Sequence, residues 1–239
     1  MTIRIVTDST ADLPPVLAKE MGITVVPLNV HYGDDQFLDG VTIQADEFYQ
    51  RLVSSSELPK TSQPAVGAFM EAYQGLLKEA DGIVSVHISS KVSGTVNSAQ
   101  LAVTEMASDV IEVVDTLQAS LALGLIALAA AKVAQSGASI AAVVAEARSA
   151  SERASFYGLV ETLEYLEKGG RIGKAQAFLG SLLRIKPILT LHEGIAHPVE
   201  KVRTRAKGLE RIAAITSALA PLEAVGVMSS DSADDASII

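Results

Sequence analysis

In the first half of the chain a short apolar run repeatedly gives way to a loop and then to a helical pattern, and that repeat restricts the fold more than any other feature. Residues 3–7, 23–30, 83–88 and 110–114 are rich in Ile and Val. Runs that are apolar at successive positions suit strands buried on both faces, the mark of a parallel sheet covered by helices. Pro14 and Pro15 open a short helix that Gly22 closes, and residues 45–54 form another. Pro64 is expected at the first position of a helix carrying Phe69, Tyr73, Leu76 and Leu77. A further helix runs to Met106, and two Ala-rich helices follow residue 114. Residues 32–39 read as a hairpin around Gly33-Asp34-Asp35. The expected class is α/β, with an N-terminal, mainly parallel sheet and helices on both faces.

Near residue 155 the pattern changes. A short strand over 157–160, a helix over 161–168 and the segment Gly169-Gly170-Arg171-Ile172-Gly173 precede strands at 186–191 and 195–202. His192-Glu193-Gly194 joins those two strands as a hairpin, so a second, mixed α+β domain is expected, with divisions at 1–154 and 155–239. Residues 225–229 read as a strand and Asp231-Ser232 as a helix start. The second domain is therefore expected to be C-terminally incomplete.

Composition closes several routes. The chain has 239 residues, with 28 Asp and Glu against 19 Lys and Arg, a net charge of −9 that argues against nucleic-acid binding. It has no cysteine, which excludes disulfides, zinc–thiolate sites and thiol nucleophiles. Aromatic residues make up 4% and Trp is absent, so a large pocket would be aliphatic. The N-terminus enters a strand pattern with no signal-peptide core, which makes the cytoplasm the default. Residues 119–131 are too short for the ~20 residues of a bilayer span and read as a buried helix.

Nucleotide and metal motifs fail on spacing. Residues 169–174 lack the Walker spacing, and Ala175 stands where Ser or Thr is needed. No dinucleotide fingerprint follows a strand. His192 and His197 are five apart on a hairpin rather than four apart on a helix, so no metal is expected. None of the four histidines is tied by spacing to Ser93. A serine-dependent hydrolase or acyltransferase acting on a small acid or ester stands as the rival reading.

Two hydroxyl clusters carry the chemical signal: Thr61-Ser62 and Ser93-Gly94-Thr95, each before or at a helix N-terminus. Such termini present unpartnered N–H groups and partial positive charge, which suit a carboxylate or phosphate. Both clusters could face one anion. Taken singly, either cluster is more readily a helix cap, and Asp8-Ser9-Thr10 is a third polar loop that could likewise be only a cap.

Taken in order, Thr7-Asp8-Ser9-Thr10-Ala11-Asp12-Leu13-Pro14, Thr61-Ser62-Gln63-Pro64, Ser89-Ser90-Lys91-Val92-Ser93-Gly94-Thr95 and the stretch from Leu166 through Gly169-Gly170-Arg171-Ile172-Gly173 resemble the DegV family of bacterial fatty-acid-binding proteins along the whole chain. The resemblance implies a two-domain α/β protein enclosing one long-chain fatty acid between its domains. Thr61 and Ser93 would hold the carboxylate, with Ser62, Gly94 and Thr95 in the same ligand-binding loops. It further implies a carrier, not an enzyme, with no cofactor beyond the bound fatty acid. The carrier would present its ligand to a fatty-acid kinase that makes acyl phosphate for phospholipid synthesis. The family pattern closes with a His-x-Gly-Pro-Gly motif that resembles a further carboxylate ligand, and this sequence contains no match to it.

Charge is unevenly spread. Residues 168–211 hold ten cations against three carboxylates, while the remainder holds nine against twenty-five. Within this basic stretch Phe178, Leu179, Leu182 and Leu183 suggest one apolar helix face. Arg171, Lys174 and Arg203 are thus candidates for docking on the kinase or for transient contact with an anionic membrane. A core-facing helix with solvated charges is the other reading.

Overall fold

In the computed structural model, which describes residues 1–55, 57–181 and 185–229, the first apolar run becomes β1 (Ile3–Asp8), buried everywhere except at Arg4. A 3₁₀ turn over Ser9–Ala11 leads to α1 (Pro15–Glu20), where proline at the first position loses no helical hydrogen bond. β2 (Ile23–Val26) lies parallel to β1. The single strand expected over 23–30 is cut at Pro27, which has no N–H to give a ladder. Beyond it β3 (Asn29–Tyr32) enters a different sheet, pairing with β4 (Asp35–Leu38) across the expected turn.

Next come α2 (Ala45–Ser54) and β5 (Lys60–Ser62), which pairs with the free side of β3. α3 (Val66–Leu76) starts two residues after Pro64, not at it, because Ala65 keeps an extended backbone with ψ of 151°. β6 (Gly82–His87) is wholly buried and runs into α4 (Thr95–Glu105); then follow β7 (Ile111–Asp115), α5 (Ser120–Gln135) and α6 (Ile140–Arg153). The main sheet is parallel throughout, in the order β2-β1-β6-β7. Under α3 and α4, Val6, Phe69, Tyr73, Ile83, Ala99 and Ala102 form one core cluster. α5 packs on β1 and on α6, burying mainly Ala side chains besides Leu123 and Ile126, so the segment at 119–131 is a buried helix. Among the described residues no helix is long and apolar enough to cross a membrane.

The chain divides into two compact units, Met1–Arg153 and Ala154–Ile239. The second contains β8 (Tyr157–Leu159), α7 (Glu164–Lys168), β9 (Lys186–His192), β10 (Ile195–Val202) and α8 (Arg205–Ala218). Its sheet is antiparallel, in the order β10-β9-β8, and its hairpin turns through Glu193 and Gly194, both at positive φ, as tight hairpins require.

Three expectations change here. α7 starts at Glu164 rather than at 161, since Thr162 Oγ1 accepts the Glu164 N–H at 3.1 Å and sets the helix start. Phe178 and Leu179 lie in a 3₁₀ run over Gly173–Ser181 and pack against the cluster of Leu163, Ala175, Leu189 and Ala196. These two side chains therefore serve the core and not a membrane face. Leu182, Leu183 and Arg184 fall outside the described residues, as does the helix start at Asp231-Ser232. Residues 225–229 are irregular rather than a strand, for an alternating apolar segment becomes a strand only beside a pairing neighbour.

Among the glycines of the first unit, Gly124 makes the closest approach to backbone. A Cβ there would stand 2.5 Å from the Ala11 carbonyl oxygen and 3.0 Å from Leu13 Cδ2. Alanine is the better helix former by about 1 kcal/mol, but the obstructing carbonyl belongs to the chain itself and cannot swing aside. We expect Gly124→Ala to lower stability by about 1–3 kcal/mol in denaturant unfolding. An unchanged midpoint would show that the turn at Ser9–Ala11 yields freely.

Candidate functional site

The loop between β6 and α4 leaves the C-terminal edge of the parallel sheet, where open α/β sheets place ligands. It is held from below by Ser89, itself wholly buried. Ser89 N–H donates to the Gln118 carbonyl at 2.9 Å, its carbonyl accepts the Val92 and Ser93 N–H groups at 3.1 and 3.2 Å, and its hydroxyl accepts Lys91 N–H at 3.1 Å. Ser90 N–H donates to Asp115 Oδ1 at 3.2 Å, which ties the loop to the end of β7.

This scaffold sets Ser93, Gly94 and Thr95 at the N-terminus of α4. Ser93 Oγ accepts the Thr95 N–H at 3.3 Å and shares a 2.8 Å hydrogen bond with Thr95 Oγ1. Thr95 is buried and Ser93 half-buried. No acidic side chain occupies the first turn of α4. The dipole and the first-turn amides are thus uncompensated by any carboxylate of the helix itself.

Thr61 and Ser62 belong to β5 and do not cap α3, whose N-cap makes no side-chain hydrogen bond. Strand alternation separates them. Ser62 stands opposite Asn29 in β3 and bonds His31 Nε2 through Oγ at 3.1 Å, while Thr61, opposite Val30, is exposed and projects from the other face. The two hydroxyls therefore do not turn toward one anion together. The next residue completes the junction: the Gln63 side chain lies against Gly94, so that a Cβ on Gly94 would be 3.0 Å from both Cδ and Nε2 of Gln63. Segments 61–63 and 93–95 meet there. Sequence reasoning did not single out Gln63 or His31, although period-2 alternation through Thr61-Ser62-Gln63 is the signal that could have separated Ser62 from its neighbours.

Below the site lies a buried chain of polar groups. Asp8 Oδ2 accepts from His87 Nδ1 at 2.9 Å and from Ile88 N–H at 3.1 Å, while Oδ1 accepts from the backbone and hydroxyl of Thr10. His87 Nε2 bonds Ser85 Oγ at 2.7 Å, and Ser85 Oγ bonds Tyr73 Oη at 2.7 Å. Asp8, His87, Ser85 and Tyr73 are each 0% exposed. Burial alone would raise the Asp8 carboxyl, but the hydrogen bond and charge of His87, with Thr10 and Ile88, outweigh it and hold the group below its ordinary 3.8. Burial pushes the Tyr73 phenol up, so it stays protonated. The Asp-His-Ser order resembles a hydrolytic triad, yet a serine sealed inside β6 reaches no substrate carbonyl. Ser93 has Thr95, not a histidine, as its hydroxyl partner. The Asp8-Ser9-Thr10 loop is spent on structure, with Ser9 Oγ accepting Leu28 N–H at 3.1 Å.

In the second unit Arg171, Lys174 and Arg203 are all exposed. Arg171 Nη1 donates to the Gly169 carbonyl at 2.5 Å. Lys168, Lys186, Arg205 and Arg211 pair with Glu164, Glu161, Glu161 and Glu200 respectively. Lys174 and Arg203 have no ion pair among the described residues. His192 and His197 set their rings edge to face at 5.2 Å, and among the described residues no three metal-ligating groups gather.

The family model for uncharacterised proteins of the DegV family matches residues 2–238. A DegV domain-containing protein of Streptomyces coelicolor is 44% identical over 227 residues, spanning 92% of this chain and 79% of its own. Among solved structures, a fatty-acid-binding DegV family protein from Thermus thermophilus superposes with a TM-score of 0.86 at 43% identity, covering 92% of this chain and 79% of its own. A stearic-acid-binding protein from Eubacterium ventriosum gives 0.83 at 28% identity, covering 91% and 76%.

The depressed Asp8 carboxyl has a consequence for stability in acid. An Asp whose folded-state pKa lies below its unfolded one contributes stability that is complete above the unfolded value and lost as pH falls through the folded one. Stability should therefore fall as pH drops below about 4. Asp8→Asn should flatten that acid limb and cost about 1.5–3 kcal/mol at neutral pH, read from urea midpoints between pH 2 and 7. An acid limb of the same steepness in the variant would assign the sensitivity to other carboxylates.

Proposed function

Because the chain belongs to the DegV family, we propose that it binds a long-chain fatty acid, with Thr61 and Ser93 holding the carboxylate at the N-terminus of α4. The observation that carries this reading is the junction of Gln63 with Gly94, which brings the Thr61 strand onto the Ser93 helix start. Thr95 leaves Ser93 suited to the task. If the buried Thr95 hydroxyl donates to Ser93 Oγ at 2.8 Å, the Ser93 proton is free for an incoming carboxylate, and the helix dipole adds to it. Relatives described as binding fatty acid and stearic acid support the ligand class.

Affinity would come mainly from the tail. Burying some fourteen methylenes at about 0.8 kcal/mol each gives roughly 11 kcal/mol before the entropy of association is set against it. The head-group contacts then fix orientation. On this reading the protein is a cytoplasmic carrier without catalytic residues, and it offers its carboxylate to a partner kinase for acyl-phosphate formation. Lys174 and Arg203, exposed and without ion pairs among the described residues, are the cations best placed to steer docking on that kinase or on an anionic bilayer.

Thr61→Ala and Ser93→Ala should each weaken palmitate binding about 10- to 100-fold, the worth of one hydrogen bond to a charged group. Thr61→Ala should leave the melting temperature unchanged, while Ser93→Ala should also cost about 1 kcal/mol of stability through its lost bond to the Thr95 amide. Loss of stability with no loss of affinity would reduce both residues to structural roles. Separately, Lys174→Glu with Arg203→Glu should slow palmitate uptake from phosphatidylglycerol vesicles at low salt, and the original protein's rate should fall as salt rises. Equal rates in the two proteins would remove the docking role.

A further inference from the structure

Gln63 is exposed, fixed at its backbone and uncommitted at its side chain. Asn29 Nδ2 donates to the Gln63 carbonyl at 3.1 Å, and Asn29 Oδ1 in turn accepts from Gln36 Nε2 at 3.0 Å. Ser62, just before it, is held in the ladder with β3, and Pro64, just after it, is buried. The amide at the end of the side chain makes no hydrogen bond to any described residue. It is nevertheless placed: Cδ, Nε2 and Oε1 lie 3.0, 3.0 and 3.3 Å from where a Gly94 Cβ would be. Three nearly equal distances mean that the amide lies face-on over Gly94, between Ser93 and Thr95. Gly94 itself has φ of −80°, a value open to every residue, so the backbone does not demand glycine there. The Gln63 amide occupies the room that a Cβ there would take, so a side chain at position 94 would push it aside.

We propose that Gln63 is a further head-group ligand, whose Nε2–H donates to the fatty-acid carboxylate at the start of α4, and that Gly94 is side-chain-free so that this amide can reach it. The inference rests on the carrier reading and deepens it. An amide has two N–H donors to spend on a carboxylate and carries no charge, so it adds recognition without trapping the ligand as a buried cation would. It also makes Gln63 a selector of head-group chemistry, because a neutral alcohol of the same chain length gains less from it than a carboxylate does.

The test uses delipidated protein titrated with palmitate and, separately, with hexadecanol. Gln63→Glu has nearly the same shape but sets a like charge against the ligand. It should weaken palmitate about 100-fold and Gln63→Leu about 10-fold, while hexadecanol binding changes less than about 3-fold in either. Gly94→Ala should also weaken palmitate, yet add nothing further in a Gln63→Ala background, since its effect acts through the displaced amide. Additive losses would overturn that coupling, and palmitate affinity unchanged in both Gln63→Leu and Gln63→Glu, with Thr61→Ala still weakened, would overturn the inference alone. A protein that binds no palmitate removes the carrier reading and this inference together.

Discussion

The Asp8 carboxylate is the point on which the first unit turns. It sits at the end of β1 and is bound by a side chain of β6 and by the amide that begins the loop after β6. A buried charge in a sheet is tolerated only when its hydrogen bonds are filled, and filling them fixes the ends of two adjacent strands relative to each other. The Ser89 loop, and through it the start of α4, is suspended from that fixed edge. The Ser93 half of the proposed head-group site is thus held in place by buried groups that lie beneath it.

The small sheet of β4, β3 and β5 supplies the other half of the proposed site. Its contribution is directional. One strand presents Thr61 on one face and Ser62 on the other, and the Ser62 hydroxyl is consumed by His31. The arrangement spends one hydroxyl on the sheet's own stability and leaves its neighbour exposed, which economises on polar groups where backbone pairing is only three residues long.

Much of this was legible beforehand, for identifiable reasons. Doubly covered parallel strands such as β1 and β6 are apolar at successive positions, so they stand out against their loops, and α2, α4 and the hairpin of β9 with β10 follow from period and turn chemistry. β5 did not stand out, because Lys60-Thr61-Ser62 has no strand character of its own and exists through pairing with β3 across about thirty residues of chain. Pro27 is a readable break, but it is masked by the apolar run on either side of it. The capping alternative for Thr61 and Ser62 disappears on seeing that α3 begins later. For Ser93 the structural role and the proposed one are compatible, since its oxygen accepts from the Thr95 amide while its proton can serve elsewhere. The Asp8–His87 link spans 79 residues and leaves no periodic trace.

The brevity of β5 carries one more implication. A strand of three residues is pinned by few ladder bonds, and side chains alternate with a period of two, so sliding it by a single residue would exchange the faces from which Thr61 and Ser62 project. Such a slip would still leave a hydroxyl on each face of the strand, yet it would turn the serine outward and break its hydrogen bond to His31. Under the proposed function, competence for an acidic ligand would be a property of strand register, and an anion bound by Thr61 would act on the protein as a clamp that selects one alignment of β5 over its neighbours. Amide exchange along Lys60–Ser62 would then slow on occupancy through the side chain of Thr61 alone.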